Sequence, residues 1–300
     1  MDHTDEPALP ISVGWRDYLE LTKPRVVALI MLTAVVGTLL AAPGLPPLDA
    51  LIFGNLGIAL AAASAAAVNH VLDAHIDARM ARTRRRPLPS GHLSQAQALR
   101  FALLLGLASM TLLVACVNVL TAVLTFCSLI VYAVVYTVWL KRATPQNIVI
   151  GGAAGAAPPV LGWAAVTNHV DPHALLLFMI IFAWTPPHFW ALAIARRRDY
   201  ERVQIPMLPV THGVELTRLH VLLYTVILCV VTLLPFMTGM SGLLYLAAAL
   251  ALDARFLWMA VALKISDREG LPMRLFRFSI TYLMWLFIAL LADHYLRVVL

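Results

Sequence analysis

The sequence predicts an all-α membrane protein with about nine transmembrane helices, and three observations support this. Hydrophobic residues make up 61% of the 300 residues, charged residues only 13%, and the mean hydropathy is +0.83. The apolar runs are long and continuous, which favours membrane helices over the alternating strands of a barrel. Nearly all the basic residues fall in every second loop. A soluble domain would carry roughly a quarter charged residues, so we exclude a soluble globular protein.

Each predicted span is an apolar run of roughly 17–25 residues, the length that crosses a bilayer as a helix. Pro/Gly-rich or short polar joints separate the runs, as at residues 43–47 and 238–241. The predicted spans cover residues 26–42, 50–70, 99–117, 119–139, 147–167, 174–195, 219–237, 242–263 and 276–292. We expect them to form one domain, residues 26–295, after a polar segment of residues 1–25.

The basic residues predict how the spans are oriented. Of the 22 Lys and Arg residues, 20 fall on one side of this topology, and the exceptions are Arg255 and Arg297. The positive-inside rule makes that side cytoplasmic, so an odd number of spans places the N-terminus inside and the C-terminus on the opposite side. Because the net charge of +6 is distributed in this way, it indicates membrane topology, and we expect no nucleic-acid partner.

Asp253 and Arg255 do not fit this pattern, because they lie in the middle of the eighth predicted span. An ionised group is costly there. Two residues apart, they do not face each other on a helix. Either the span is shorter than predicted, or each side chain has a partner elsewhere in the bundle.

Asn69, Asp73 and Asp77 form the most distinctive polar pattern, at the cytoplasmic end of the second span. At 100° per residue they lie within about 80° of one another on one helix face. Mg²⁺ prefers such oxygen ligands and completes its shell with substrate phosphates. Arginines that follow the strip would clamp phosphate oxygens: Arg79, Arg82, Arg84, Arg85 and Arg86. The alternative is that the strip only marks the solvated end of a span and that the arginines are an ordinary positive-inside signal.

A second cluster surrounds the end of the sixth span, four spans later. His188 follows two prolines within the span, and Asp199 lies among arginines on the cytoplasmic side. The second and sixth spans hold equivalent places in two four-helix halves, so the two clusters would face each other across a shared cavity. His188 is either a haem contact, a general base or a satisfied interior histidine.

A third group of polar and aromatic residues ends the fourth span: Tyr136, Lys141 and Arg142, with Asn147 shortly after. If Lys141 lines the same mouth as the acidic strip, it is a diphosphate ligand, and the ring of Tyr136 would face a developing carbocation. Otherwise Lys141 and Arg142 are topology markers, and Tyr136 is a packing or interfacial residue.

Taken together, these residues resemble the UbiA-type intramembrane prenyltransferases, and in finer detail the branch of that family that modifies haem. The resemblance runs from about residue 20 to residue 294. Its most specific stretches are residues 21–25, 69–88, 136–152, 184–193 and 199–210.

The resemblance implies a helical bundle around a central cavity that opens to the cytoplasmic side and to the membrane. It implies Mg²⁺ on Asn69, Asp73 and Asp77, and transfer of a farnesyl group from farnesyl diphosphate to a vinyl group of haem B, followed by hydration. The setting would be a bacterial inner membrane and its lipids, with a haem A synthase as a possible downstream partner. The other site residues that it implies are Lys23, Arg25, Arg82, Arg86, Tyr136, Lys141, Asn147, His188, Asp199 and Tyr200.

One position departs from the family pattern. Relatives that prenylate small aromatic acids carry a second strip with two acids one turn apart, whereas Asp199 is followed four residues later by Val203, and Glu201 lies on another face. This weakens a two-metal interpretation and fits the haem branch better. Three alternatives remain: a different acceptor such as a hydroxybenzoate, a transporter with anion-binding arginines, and a haem-binding scaffold. A transporter would place its polar residues near mid-membrane, and a scaffold has no use for the acidic strip.

Overall fold

The computed structural model describes residues 13–80 and 83–299, with side chains up to residue 297, and all the regular elements among them are helices. In chain order these are α1 (Trp15–Leu21), α2 (Pro24–Leu40), α3 (Ala50–Arg79), α4 (Gln95–Cys116), α5 (Val119–Ala143), α6 (Asn147–Thr167), α7 (Pro172–Ala195), α8 (Arg197–Arg202), α9 (Leu208–Thr211), α10 (Val214–Met237), α11 (Leu243–Ile265) and α12 (Leu271–Val299).

The predicted fold class is confirmed. Eight helices in the described part of the chain are long and apolar enough to cross a membrane, and the bent pair α1–α2 raises the number to nine. Each predicted span coincides with one of these helices. The main difference is at α3, which was predicted to end near residue 70 but continues to Arg79. The whole acidic strip is therefore helical.

The bend between α1 and α2 measures 53° and is centred on Lys23. This residue has a left-handed backbone, with φ 50° and ψ 60°, and is followed by Pro24 at the first position of α2. Proline disfavours helical geometry in the residue before it, so α1 cannot continue directly into α2. Leu21, at the end of α1, is fully buried, and Tyr18 packs edge-on against Phe101 of α4. The bend thus brings the Lys23 side chain to Asn69 of α3.

Close packing of α2 against the second half of α6 closes the end of the bundle away from the basic loops. A Cβ atom on Gly37 would overlap the backbone of Pro159, and one on Gly162 would overlap the backbone of Ala34. Small residues allow such close approach between membrane helices. The first half of α6 contacts α5 and α7 instead. α2 and α6 therefore separate towards the end of the bundle that carries the basic loops.

The last helix, α12, closes the bundle by packing against α2, α7 and α11. At the far end, Asp293 accepts the backbone N–H groups of Gly242 (2.5 Å) and Tyr245 (3.2 Å) at the start of α11. The ring Nε2 of His294 lies 3.0 Å from the carbonyl oxygen of Ala42, which follows α2. Both side chains satisfy backbone groups that a helix end leaves unpaired.

Asp253 and Arg255 both have partners outside their own helix. Of the two alternatives, a shorter span or partners elsewhere in the bundle, the second is therefore correct. α11 is continuous through both positions. Buried Asp253 accepts hydrogen bonds from the hydroxyls of Tyr282 (2.6 Å) and Thr232 (2.7 Å) on neighbouring helices. Arg255 is exposed on the outside of the bundle, and its guanidinium lies 5.2 Å above the ring of Phe278.

Candidate active site

The strip of Asn69, Asp73 and Asp77 lies on α3 near the basic end, and all three side chains are buried. Ionised carboxylates are costly to bury unless cations or hydrogen bonds compensate them. The amide of Asn69 donates to Asp73 Oδ2 over 2.9 Å, so the strip is linked along one helix face, as its spacing predicts. The partners of the two carboxylates come from other segments.

Two lysines distant in sequence reach the inner part of the strip. Lys23, at the α1–α2 bend, donates from Nζ to the side-chain oxygen of Asn69. Lys141, near the end of α5, lies with Nζ 2.6 Å from Asp73 Oδ2. Because these contacts join residues 46 and 68 positions apart, they fix where α2 begins and where α5 ends relative to α3.

The segment after α3 folds back onto the outer carboxylate. Arg86 NH1 lies 2.6 Å from Asp77 Oδ2, and the guanidinium side chain is 21% exposed. The hydroxyl of Thr83 donates to the backbone carbonyl of Asp77 over 2.9 Å. Arg82, which the sequence also predicts here, lies outside the described residues.

A π-helical stretch in α5, Val131–Leu140, shapes the wall beside the strip. Thr137 donates to the carbonyl of Tyr132 (2.9 Å), five residues earlier, and accepts from the amide of Asn69 (3.1 Å). The rings of Tyr132 and Tyr136 stack with their centroids 5.7 Å apart. A Cβ atom on Gly151 of α6 would overlap the Tyr136 ring, so this glycine makes room for it. π-helical turns are frequent at functional sites.

Asn147 begins α6 and is completely buried. Its amide donates to the Thr144 carbonyl over 2.8 Å, while its side-chain oxygen has no partner among the described residues. The turn between α5 and α6 therefore holds the Asn147 side chain in place.

The donor atoms of the strip suit Mg²⁺. Asp73 Oδ2 already accepts from Lys141 and Asn69, but Asp73 Oδ1 is buried without a hydrogen-bond partner in the described chain. No group of three or more His, Cys, Asp or Glu side chains in residues 13–80 and 83–297 is arranged to hold a metal. An ion here would have two carboxylates and an amide oxygen, and would need further oxygens from substrate and water, which is the habit of Mg²⁺.

His188 is placed away from the strip, in the packing between α7 and α12. Its ring lies between Trp184 (4.2 Å between centroids) and Phe276 (4.6 Å), and its Nδ1 is 2.6 Å from the Ser279 hydroxyl. Among the alternatives for this residue, these contacts favour a satisfied interior histidine. Arg25, the second residue of α2, is exposed.

The segment after α7 carries Tyr200 and two acids. Tyr200 is half-buried and packs against the main hydrophobic core. Asp199 is half-buried on the short helix α8. Glu201 pairs with Arg197 of the same helix over 2.6 Å, so this acid is engaged outside the strip.

Two buried polar residues beside the strip, Thr137 and His70, were not predicted as site residues. Thr137 lies next to Tyr136, but a regular α-helical wheel does not predict its contact with Asn69. The ring of His70 is 2% exposed, and neither of its nitrogens has a partner among the described residues. Its position directly after Asn69 was the signal that the sequence offered.

Comparison with known proteins adds three findings. Residues 30–291 match the family model of the UbiA prenyltransferase family. The protoheme IX farnesyltransferase of Methylococcus capsulatus is 61% identical over 284 residues, which are 95% of each chain. That of Alkalilimnicola ehrlichii is 63% identical over 292 residues, or 97% of each chain.

Solved structures share the fold at low sequence identity. A digeranylgeranylglyceryl phosphate synthase has a TM-score of 0.79 at 16% identity, covering 93% of this chain and 98% of its own. A UbiA homologue from Archaeoglobus fulgidus, bound to GPP and Mg²⁺, has a TM-score of 0.65 at 16% identity, covering 91% and 99%.

Proposed function

The chain belongs to the UbiA prenyltransferase family. On that premise we propose that it transfers a farnesyl group from farnesyl diphosphate to a vinyl group of haem B, with hydration, giving haem O and diphosphate. The substrate pair is supported by the relatives named protoheme IX farnesyltransferase, which are 61% and 63% identical over nearly the whole chain. The family itself supports a prenyl diphosphate as donor.

The observation that carries the proposal is the meeting of three cations on the acidic strip. Lys141 and Arg86 each lie 2.6 Å from a strip carboxylate, and Lys23 contacts the amide. These cations come from three separate segments, which a simple topology signal does not require. Guanidinium and ammonium groups that can turn from carboxylate to phosphate oxygens form a diphosphate site.

When bound by Asn69, Asp73 and Asp77, Mg²⁺ would supply positive charge to the departing diphosphate. The unpartnered Asp73 Oδ1 supports this assignment. The A. fulgidus homologue with GPP and Mg²⁺ is a precedent within the fold.

The reaction begins when the bond between C1 of the farnesyl group and the diphosphate oxygen breaks and the diphosphate keeps the electron pair. Lys141, Arg86 and Lys23 stabilise the negative charge that develops there, the kind of preorganised electrostatics that gives large rate effects. The stacked rings of Tyr132 and Tyr136 present electron-rich faces to the allylic cation. A closed, buried site protects this cation from water.

In the second half of the reaction, C1 bonds to the terminal carbon of the haem vinyl group, which leaves a cation on the adjacent vinyl carbon. A water molecule adds to that carbon and loses a proton, so the product carries a hydroxyl and a farnesyl group. We assign Asn147, Asp199 and Tyr200 to the wall around the reacting groups. We assign Arg25 and Arg82 the role of attracting the anionic donor, as the resemblance implies, and His188 to the aromatic packing of α7.

We place the enzyme in a bacterial inner membrane, as one domain over residues 26–295, with the N-terminus in the cytoplasm and the C-terminus on the opposite side. The one-sided distribution of 20 of the 22 basic residues supports this orientation. Both substrates would reach the site from the membrane lipids or the cytoplasmic interface. A haem A synthase is the downstream partner that this product implies, and we expect no nucleic-acid partner.

The test uses membranes that contain the protein, incubated with haem B and farnesyl diphosphate with and without Mg²⁺. Mass spectrometry would detect haem heavier by one farnesyl group and one hydroxyl group, and only with Mg²⁺. If no such product forms but a hydroxybenzoate is prenylated, the acceptor is wrong and the family activity stands. If no acceptor is prenylated with any donor, the proposed function is wrong.

A further inference from the structure

His70 is a buried imidazole that the reaction scheme above does not use. Its ring is 2% exposed, and both ring nitrogens lack a hydrogen-bond partner among residues 13–80 and 83–297. A neutral imidazole has one N–H donor and one acceptor nitrogen. Leaving such groups unpaired in a buried site is costly, and an orphan of this kind in a native fold requires an explanation.

The position of His70 on α3 associates it with the strip. It is adjacent to Asn69 and seven residues before Asp77, so on an α-helix it lies within about 20° of Asp77 and about 10 Å deeper along the axis. Lys23 contacts the adjacent Asn69, and Arg86 contacts Asp77, so both cations lie on the side of α3 that carries His70. His70 therefore borders the cluster of side chains that forms the candidate site.

We propose that His70 binds the diphosphate of the prenyl donor by donating a ring N–H to one of its oxygens. This inference rests on the proposed function for the identity of that donor. A neutral donor is suited to this position, because Lys23, Lys141 and Arg86 already supply positive charge. The rival ligand of the same chemistry is a carboxylate of the haem acceptor.

The experiment compares the full-length protein with His70→Leu and His70→Gln, all purified in detergent. Isothermal titration with farnesyl diphosphate and Mg²⁺ measures binding, and steady-state kinetics gives KM for each substrate. Because a hydrogen bond to a charged group is lost, His70→Leu should weaken farnesyl diphosphate binding roughly tenfold or more. His70→Gln retains an N–H donor of similar reach and should recover most of that affinity. KM for haem B should stay unchanged.

Two controls separate binding from folding. His75→Leu changes an exposed histidine on the same helix and should leave both KM values at the wild-type level. Without ligand, His70→Leu should keep or raise the melting temperature, because it removes an unpaired buried polar group. A clear fall in its melting temperature would indicate a structural role for the ring and contradict the proposal.

Three other outcomes would overturn it: unchanged farnesyl diphosphate binding in His70→Leu, a glutamine variant as weak as the leucine variant, or a rise in KM confined to haem B. The last would assign His70 to the acceptor. Failure of the proposed function alone would look different. The wild type would then bind farnesyl diphosphate in a manner that depends on His70 and yet form no haem O.

Discussion

Replacing Asp73 by Asn tests the central ion pair of the site. Asp73 is 3% exposed, and its Oδ2 lies 2.6 Å from Lys141 Nζ. Breaking a buried pair costs about 3–5 kcal/mol, because the remaining charge is left uncompensated. The asparagine oxygen still accepts from Lys141, so we expect roughly half of that loss, about 2 kcal/mol. Turnover should fall at least about 100-fold, since the metal ligand and its charge are both lost.

A double variant separates stability from catalysis. Adding Lys141→Met to Asp73→Asn removes the uncompensated ammonium charge and should restore most of the lost melting temperature, because replacing both partners of a buried pair is often neutral. Turnover, measured as haem O by mass spectrometry, should remain low in both variants. Asp171→Asn is the matched control: Asp171 caps α7 at the far end, and asparagine caps equally well.

Two results would refute this reasoning. Turnover of Asp73→Asn within tenfold of the wild type would show that the carboxylate charge is not needed for the reaction. A double variant as unstable as Asp73→Asn alone would show that the Lys141 charge is not what destabilises it. Asp171→Asn should keep full activity, so a comparable loss there would mean that amide substitution has a general effect on folding.

The remaining predictions concern packing. Gly151→Ala should reduce turnover, because its Cβ would displace the Tyr136 ring. Gly155→Ala is the control and should have wild-type turnover, because its Cβ would meet nothing within 4 Å. Equal turnover in the two variants would contradict a role for the position of the Tyr136 ring. Asp253→Ala should lower the melting temperature by leaving the buried Tyr282 hydroxyl without its acceptor, a loss of about 1–3 kcal/mol. Asp253→Asn, which keeps an acceptor, should lose much less, and equal losses would refute the hydrogen-bond account.

Helix number and position were predictable because the bilayer imposes one length and one composition on every span. The face shared by Asn69, Asp73 and Asp77 was predictable for a similar reason, since it depends only on the period of one helix. The second predicted span stopped at residue 70 because the last turns of α3 are polar: Asp73, His75, Asp77 and Arg79 lower the local hydropathy, although the helix continues through them.

The pairing of side chains across the site was not predictable in the same way. Lys23 reaches Asn69 because the chain bends by 53° before Pro24, and the size of such a bend depends on what α1 packs against. The contact between Thr137 and Asn69 depends on the π-helical stretch of α5, which changes the face that each residue presents. Periodicity at 100° per residue assumes that no such change occurs.

The pairing also explains how a strip of acids can serve an anionic substrate. Asp73 and Asp77 are each neutralised by one cation, Lys141 and Arg86, while Lys23 contacts the uncharged amide of Asn69. These five groups therefore carry one more positive than negative charge before any metal is considered. A diphosphate ester would approach a site whose carboxylates are already screened, and its attraction to the surplus charge is long-ranged in a low-dielectric setting. The acidic strip alone would repel the substrate, and it is the three cations from separate segments that make the site anion-binding.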